Sequence, residues 1–236
     1  MPSEDCCGAV NPPVDHPTLT YYNSHASKLA ARYEQVSSIA AAHFESTFAK
    51  GSKLLDIGFG SGRDLALLAR MGFDVYGVDP SAEFIQLAQH THPELQGRLS
   101  VSGLPELGIP FGGKFDGVLC YGVLMHLNPE ALVRSVQSLR ACLKLHGRVI
   151  IAIPAKKPGI DPHHRDEEGR LFQLHRGEDL QRLFISNGFE LIEQWSNQHK
   201  IDETGIEWLA QSYELTSLSA EQDLANAADM PHLSTR

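Results

Sequence analysis

Asp56 and Asp79 bracket a turn that carries glycine at positions 58, 60 and 62. Two carboxylates beside a glycine-rich turn can accept hydroxyl or ammonium protons while the backbone comes close to a ligand. The segment reads LLDIGFGSGRD over 54–64. Its apolar start predicts a buried parallel strand, and the LALLARMG that follows predicts an amphipathic helix. DVYGVDPS is a second strand, and it ends in Asp79. Strand, glycine turn, helix, strand, acid is the layout of a nucleoside-binding βαβ unit. His126, in VLMHLNPEAL, follows a later strand and stands close to a helix start. A histidine there can take a proton from a nucleophile, and a packing or capping histidine is the competing reading.

The elements that must position these groups alternate. Strands are expected at about 53–57, 74–78, 98–102 and 115–121. Helices are expected at about 62–71, from Ser81 as N-cap, and at about 130–143. Lys144–Gly147 reads as a turn before a fifth strand, RVIIAIP. This alternation implies a parallel sheet with right-handed crossovers. Residues 19–48 show helical spacing of Tyr22, Ala26, Leu29, Tyr33, Val36, Ile39, Phe44 and Phe48. The stretch after Pro154 is polar and loop-like, then EDLQRLFISNG forms a helix stopped by Gly188. FELIEQW and GIEWLAQSYEL read as two strands that can pair antiparallel. Residues 1–18 read as a flexible leader and 216–236 as a polar tail. Between them a single domain spans 19–215: a helical cap at 19–50, a cofactor core at 51–153, and a substrate-side insertion with the last strands at 154–215.

A chain of 236 residues suits one such domain, and a formal charge of −9 disfavours a broad nucleic-acid footprint. The four cysteines form no C-x-x-C pair and suit a reducing cytoplasm. No apolar run is long enough to span a membrane, and no secretion signal is read at the start. Cys6–Cys7 as a soft-metal substrate handle and His163–His164 as metal or substrate contacts are weighed and set below solvated loops.

The glycine spacing narrows the choice of cofactor. A dinucleotide site prefers G-x-G-x-x-G, whereas Arg63 stands where its third glycine would fall, and no Gly-Lys-Ser/Thr completes a phosphate loop. With DIGFGSG, Asp79 in GVDPS, LSVSGLPEL, FDGVLCYGVLMHL and LHGRVIIAIP in order, the chain resembles the class I S-adenosylmethionine-dependent methyltransferases over roughly residues 20–215. The resemblance implies an open, mostly parallel seven-stranded sheet with helices on both faces and its last strand antiparallel. It implies S-adenosylmethionine as cofactor. Asp56 would orient the turn and approach the cofactor amine. Gly58, Gly60 and Gly62 would admit the methionine portion. Asp79, with Pro80 beside it, would take the ribose hydroxyls.

Ser102 replaces an acid that the family often uses for adenine. Its oxygen, with backbone groups at Gly103 and Leu104, can still hold the ring. Tyr121 would lie near the sulfonium. Tyr22, on the N-terminal helices, would face the sulfonium cation or pack between helices; packing is preferred for Tyr33.

The activity implied is methyl transfer to a small-molecule acceptor, with His126 as base where the nucleophile is protonated. A peptide or modified tRNA base as acceptor, or a binding protein without catalysis, are the alternatives. The motifs typical of DNA amino-methylation and of arginine methylation are absent after the fourth strand.

Overall fold

The computed structural model describes residues 15–36, 38, 40–196 and 205–218. Seven strands form one sheet: β1 Lys53–Ile57, β2 Asp74–Asp79, β3 Leu99–Val101, β4 Phe115–Tyr121, β5 Leu143–Lys156, β6 Phe189–Ser196 and β7 Glu207–Leu215. Their spatial order is β3-β2-β1-β4-β5-β7-β6. The first five strands pair in parallel, and β7 enters antiparallel between β5 and β6. This is the open, mostly parallel α/β sheet expected from the sequence, with the final strand reversed.

Side chains alternate across the sheet with a period of two, so adjacent leucines serve opposite faces. Leu55, Ile57, Val118 and Cys120 pack on α5 (Pro129–Cys142) and α6 (Gly177–Ser186). Leu54, Leu119 and Ile150 pack on the other face against α2 (Phe44–Thr47) and α3 (Arg63–Arg70). Helix α4 (Ala82–Thr91) joins that second layer through Ile85 and Ala88. Because both faces are covered, β1 and β4 are almost wholly buried, which is why they read as continuous apolar runs. At Gly117 the sheet and Phe48 approach so closely that a β-carbon would collide with the Phe48 ring. Cys120 and Cys142 are buried free thiols inside a strand and a helix, as their positions suggested.

Helix α1 (His16–Tyr33) lies outside these layers and packs its Ala26, Leu29 and Ala30 against Phe84 of α4. It starts within the stretch expected to be a leader. The Asp15 carboxylate caps it by accepting from Thr18 N at 3.0 Å, and Pro17 sits in the first turn, where its missing N–H costs nothing. The helix ends at Tyr33, so Val36 does not share its apolar face and is 45% exposed. Ile39, Cys6, Cys7 and most of the polar tail lie outside the described residues.

The turn expected at Lys144–Gly147 is a correction: β5 runs through it as a bulge. Opposite Phe115 and Gly117 of β4, β5 advances from Leu143 to Arg148, with His146 left-handed at φ 63°. Pairing on both sides holds the segment in the sheet, an outcome that local turn chemistry could not reveal. Among the described residues no helix is long and apolar enough to cross a membrane.

Candidate active site

β1 ends at Ile57, and the chain reverses into α3 through Gly58, Gly60 and Gly62 at φ 71°, 57° and 85°. These are left-handed angles that side chains resist. At Gly58 a β-carbon would also strike Val123, and at Gly60 it would press on the Tyr33 ring at 3.3 Å. The turn is clamped from β2. Asp79 Oδ2 accepts Gly60 N at 3.0 Å and Oδ1 accepts Ser81 N at 2.9 Å. Ser81 in turn caps α4 by accepting Phe84 N at 3.2 Å, the role its place in the sequence implied.

Burial pushes the Asp79 carboxyl up to about 6, against the opposing pull of the Ser81 and Gly60 amides. Each of its oxygens holds one backbone N–H and keeps acceptor capacity for one hydroxyl. Beneath the turn, Asp56 is 4% exposed. Its pKa lies well above the ordinary range because of burial first, then the charges of Asp64 and Asp79; only the charge of Arg63 opposes. A buried carboxylate held by no hydrogen-bond donor of the described residues, beside a ribose-ready acid, fits a nucleoside that carries an ammonium. S-adenosylmethionine is such a molecule.

The third-motif residues border the same crevice. Ser102 N donates to the Asp79 carbonyl at 3.3 Å, its hydroxyl donates to Leu107 O at 3.2 Å, and Gly103 faces the Pro80 ring. Leu104 is buried beside them. At the end of β4, Tyr121 stacks on Trp208 of β7 with ring centres 5.0 Å apart. Arg63, noticed in the sequence only as a missing glycine, ties the turn to the end of α1. It donates to the Tyr33 and Val36 carbonyls at 2.9 and 2.7 Å and to Asp64 at 2.8 Å. With Tyr33 over Gly60 and stacked on Phe84, the end of α1 covers the glycine turn.

A second group of residues gathers farther along α1. The Tyr22 hydroxyl lies 2.9 Å from His126 Nε2, and His126 Nδ1 lies 2.6 Å from the Leu171 carbonyl. A carbonyl only accepts, so Nδ1 carries the hydrogen and Nε2 accepts from Tyr22. Burial pulls the His126 pKa down to about 4, and the nearby Arg170 charge adds to that against the Leu171 bond. The ring is therefore neutral at pH 7. Tyr22, expected to face the sulfonium or to pack between helices, is set on His126, with burial raising its phenol above the usual range.

Arg170 Nη1 donates to the same hydroxyl at 3.3 Å. Its Nε and Nη2 reach Asp166 Oδ2 at 3.0 and 2.7 Å. Burial would raise the Asp166 pKa, but the Arg170 bonds and charge outweigh it and hold it below the ordinary value. The segment that carries these residues is strapped to the start of α1. Arg165 grips Asp15 at 2.8 and 3.1 Å, and Leu171 N donates to Thr18 Oγ1 at 2.8 Å.

The site residues read from the sequence thus divide. Asp56, Gly58, Gly60, Gly62, Asp79, Pro80, Ser102, Gly103 and Leu104 surround the ends of β1 to β3, whereas Tyr22 and His126 meet each other. Arg170, Asp166 and Trp208 carried no sequence signal beyond a polar loop or an ordinary strand, and Arg63 was read only as a missing glycine. His163 is exposed, and among the described residues no cluster of three or more His, Cys, Asp or Glu is placed to hold a metal.

Comparison with known proteins places this geometry among relatives. A family model described as a methyltransferase domain matches residues 23–194. The ubiquinone biosynthesis O-methyltransferase of Xanthomonas axonopodis pv. citri is 30% identical over 111 residues, 46% of this chain and 45% of that one. The chain therefore spans about half the length of that relative. The magnesium-protoporphyrin O-methyltransferase of Rhodobacter capsulatus is 26% identical over 164 residues, 61% of this chain and 70% of that one. The crystal structure of Burkholderia thailandensis 1,6-didemethyltoxoflavin-N1-methyltransferase, with bound 1,6-didemethyltoxoflavin and S-adenosylhomocysteine, superposes with a TM-score of 0.61 at 22% identity. That match covers 88% of this chain and 94% of the other, and at this identity it shows the shared fold.

Proposed function

The chain belongs to the class I S-adenosylmethionine-dependent methyltransferases, and from that membership we propose that it methylates an oxygen of a small-molecule acceptor. When bound, S-adenosylmethionine supplies a methyl group on a positively charged sulfur. The protein's residues bind, orient and take away a proton. Asp79 holds the ribose hydroxyls, Asp56 answers the ammonium, and the turn at Gly58, Gly60 and Gly62 cradles the methionine portion with its backbone. Pro80, Ser102, Gly103 and Leu104 border the adenine. Tyr121, braced by Trp208, faces the tail. Helix α1 keeps water away from the cationic sulfur.

One observation carries the oxygen assignment: a neutral His126 with a fixed tautomer accepts the Tyr22 hydroxyl at Nε2, 2.9 Å away. An acceptor hydroxyl loses its proton as its oxygen takes the methyl group. That proton passes to the Tyr22 oxygen while the proton of Tyr22 passes to His126 Nε2, leaving an imidazolium still bonded to the Leu171 carbonyl. The positive charge that the sulfur gives up with the methyl group is balanced by the one gained on the imidazole. The O-methyltransferase names of the two curated relatives support the same nucleophile.

The test is a panel of phenols, enols and carboxylic acids with methyl-labelled cofactor. Labelled ether or ester with release of S-adenosylhomocysteine is the expected result. Label on nitrogen, sulfur or carbon alone would replace the oxygen assignment. Cofactor binding with no turnover across the panel would favour a non-catalytic role.

A further inference from the structure

Two cations and one carboxylate are buried together beside the Tyr22–His126 pair. The side chains of Arg170, Lys157 and Asp166 are 16%, 14% and 3% exposed. Lys157 Nζ stands 3.6 Å from the same Asp166 oxygen that Arg170 grips at 2.7 Å. Around this group Asp15 and Arg165 pair with each other, with the exposed Asp161 beside Arg165, and His126 is neutral. Within the buried group of Arg170, Lys157 and Asp166 one positive charge is left over. Aromatic rings wall it in: the Arg170 guanidinium lies 4.6 Å from the centre of Tyr21, 5.5 Å from Tyr22 and 5.1 Å from Phe172, and Lys157 lies 4.8 Å from Phe172. Ring faces attract a cation but do not neutralise it, and an uncompensated charge held away from water is costly.

The donor inventory shows where a partner fits. A guanidinium has five N–H groups. Asp166 takes the Nε–Nη2 edge and Tyr22 takes one hydrogen of Nη1. One N–H on each Nη has no acceptor among the described residues. Those two free N–H groups are available to the oxygens of a carboxylate. Because Nη1 also touches the Tyr22 hydroxyl, an anion seated there would hold a neighbouring hydroxyl of the same molecule against the proton-accepting pair.

Resting on the reading of this cleft as the acceptor site, we propose that Arg170 and Lys157 bind an anionic group, a carboxylate or its equivalent, carried by the methyl acceptor. Arg170 is then a specificity residue. The rings of Tyr21 and Phe172 keep water from the group until an acidic acceptor arrives, and neutral analogues leave the second cation on Asp166 without an anion of its own.

The test uses the full chain loaded with S-adenosylhomocysteine and isothermal titration with the 2-, 3- and 4-hydroxybenzoates against the matching hydroxybenzamides. At least one acid should bind tenfold or more tightly than its amide. Arg170→Gln should abolish that preference. Lys157→Met, whose partners are a single 3.6 Å ion pair and one ring face and which is therefore the safer variant for folding, should remove most of it. Equal binding of acid and amide, binding of neither, or a preference that survives in Lys157→Met would overturn the proposal.

The methionine carboxylate of the cofactor is the rival source of the anion. If Arg170→Gln weakens S-adenosylhomocysteine but not 5′-methylthioadenosine, the anion belongs to the cofactor and the proposal fails. Turnover separates this inference from the reaction itself. Methylation of neutral hydroxyl acceptors without acidic preference breaks only the inference. Tight acid binding with no methyl transfer breaks only the reaction.

Discussion

At the cofactor end of the cleft, most of the groups that would touch a ligand come from residues 56–81, and many of them are backbone. Gly60 N and Ser81 N are fixed on Asp79, and the glycine angles shape the cradle. At the end proposed for the acceptor, the groups are side chains brought from far apart. Tyr22 meets His126 across 104 positions and Arg170 across 148. A cradle built from one βαβ unit survives changes elsewhere in the chain. A pocket assembled from three separate segments can be rebuilt by altering any of them, which suits a scaffold that keeps one donor and varies its acceptor.

If the two ends are separate in function as they are in construction, substitutions should divide cleanly. His126→Gln should have the largest effect, lowering turnover about 100-fold or more, the usual scale for a lost general base. S-adenosylhomocysteine affinity, read by titration, should stay within about twofold, since the described partners of the His126 side chain are Tyr22, Leu171 and Phe172, away from the glycine turn. A matching loss of cofactor affinity would dissolve the division.

Asp79→Ala should do the reverse. Two charge-assisted hydrogen bonds to ribose hydroxyls are together worth about 3 kcal/mol or more, so cofactor affinity should fall on the order of 100-fold. The amides of Gly60 and Ser81 would also lose their anchor. An unchanged dissociation constant would remove Asp79 from the ribose.

Acidity should sharpen the comparison. Burial pushes the Asp79 carboxyl up to about 6, and its ionised form is the one proposed to accept the ribose hydroxyls. Lowering pH through that value should therefore weaken the cofactor, by roughly tenfold between pH 7.5 and 5. His126, near 4, keeps its neutral form over the same interval, so turnover at saturating cofactor should hardly move. A steep fall in that turnover would place a further titrating group at the acceptor end.

Asp15→Asn should give the smallest effect. Asparagine still caps α1, so only the ion pair with Arg165 is lost, which at this half-exposed site is worth about 1 kcal/mol or less. The melting temperature should drop by about 4 °C at most. A larger drop would mean that the strap over α1 supports the core as well as the pocket.

Much of this contrast was legible beforehand on one side only. The 54–64 segment and the Ser81 cap were readable because neighbours in sequence settle them, and the reversed last strand followed from the family resemblance. The pairing of Tyr22 with His126 was not: each residue stood as a candidate in its own right, and nothing in either segment named the other. Arg170 looked like one charge in a polar loop. Lys144–Gly147 has the chemistry of a turn and became a bulge, because pairing with β4 at both ends overrode local preference.

The sequence by itself determined the alternating strands and helices, the left-handed turn and the acid that ends β2. Hydrophobic period, glycine angles and capping act over a few residues and leave a local imprint. Only the tertiary structure decided which tyrosine meets the histidine, which carboxylate holds Arg170, and how α1 closes over the turn. Those contacts depend on how distant surfaces pack, and the same residue types in the same order permit many such arrangements until the fold selects one.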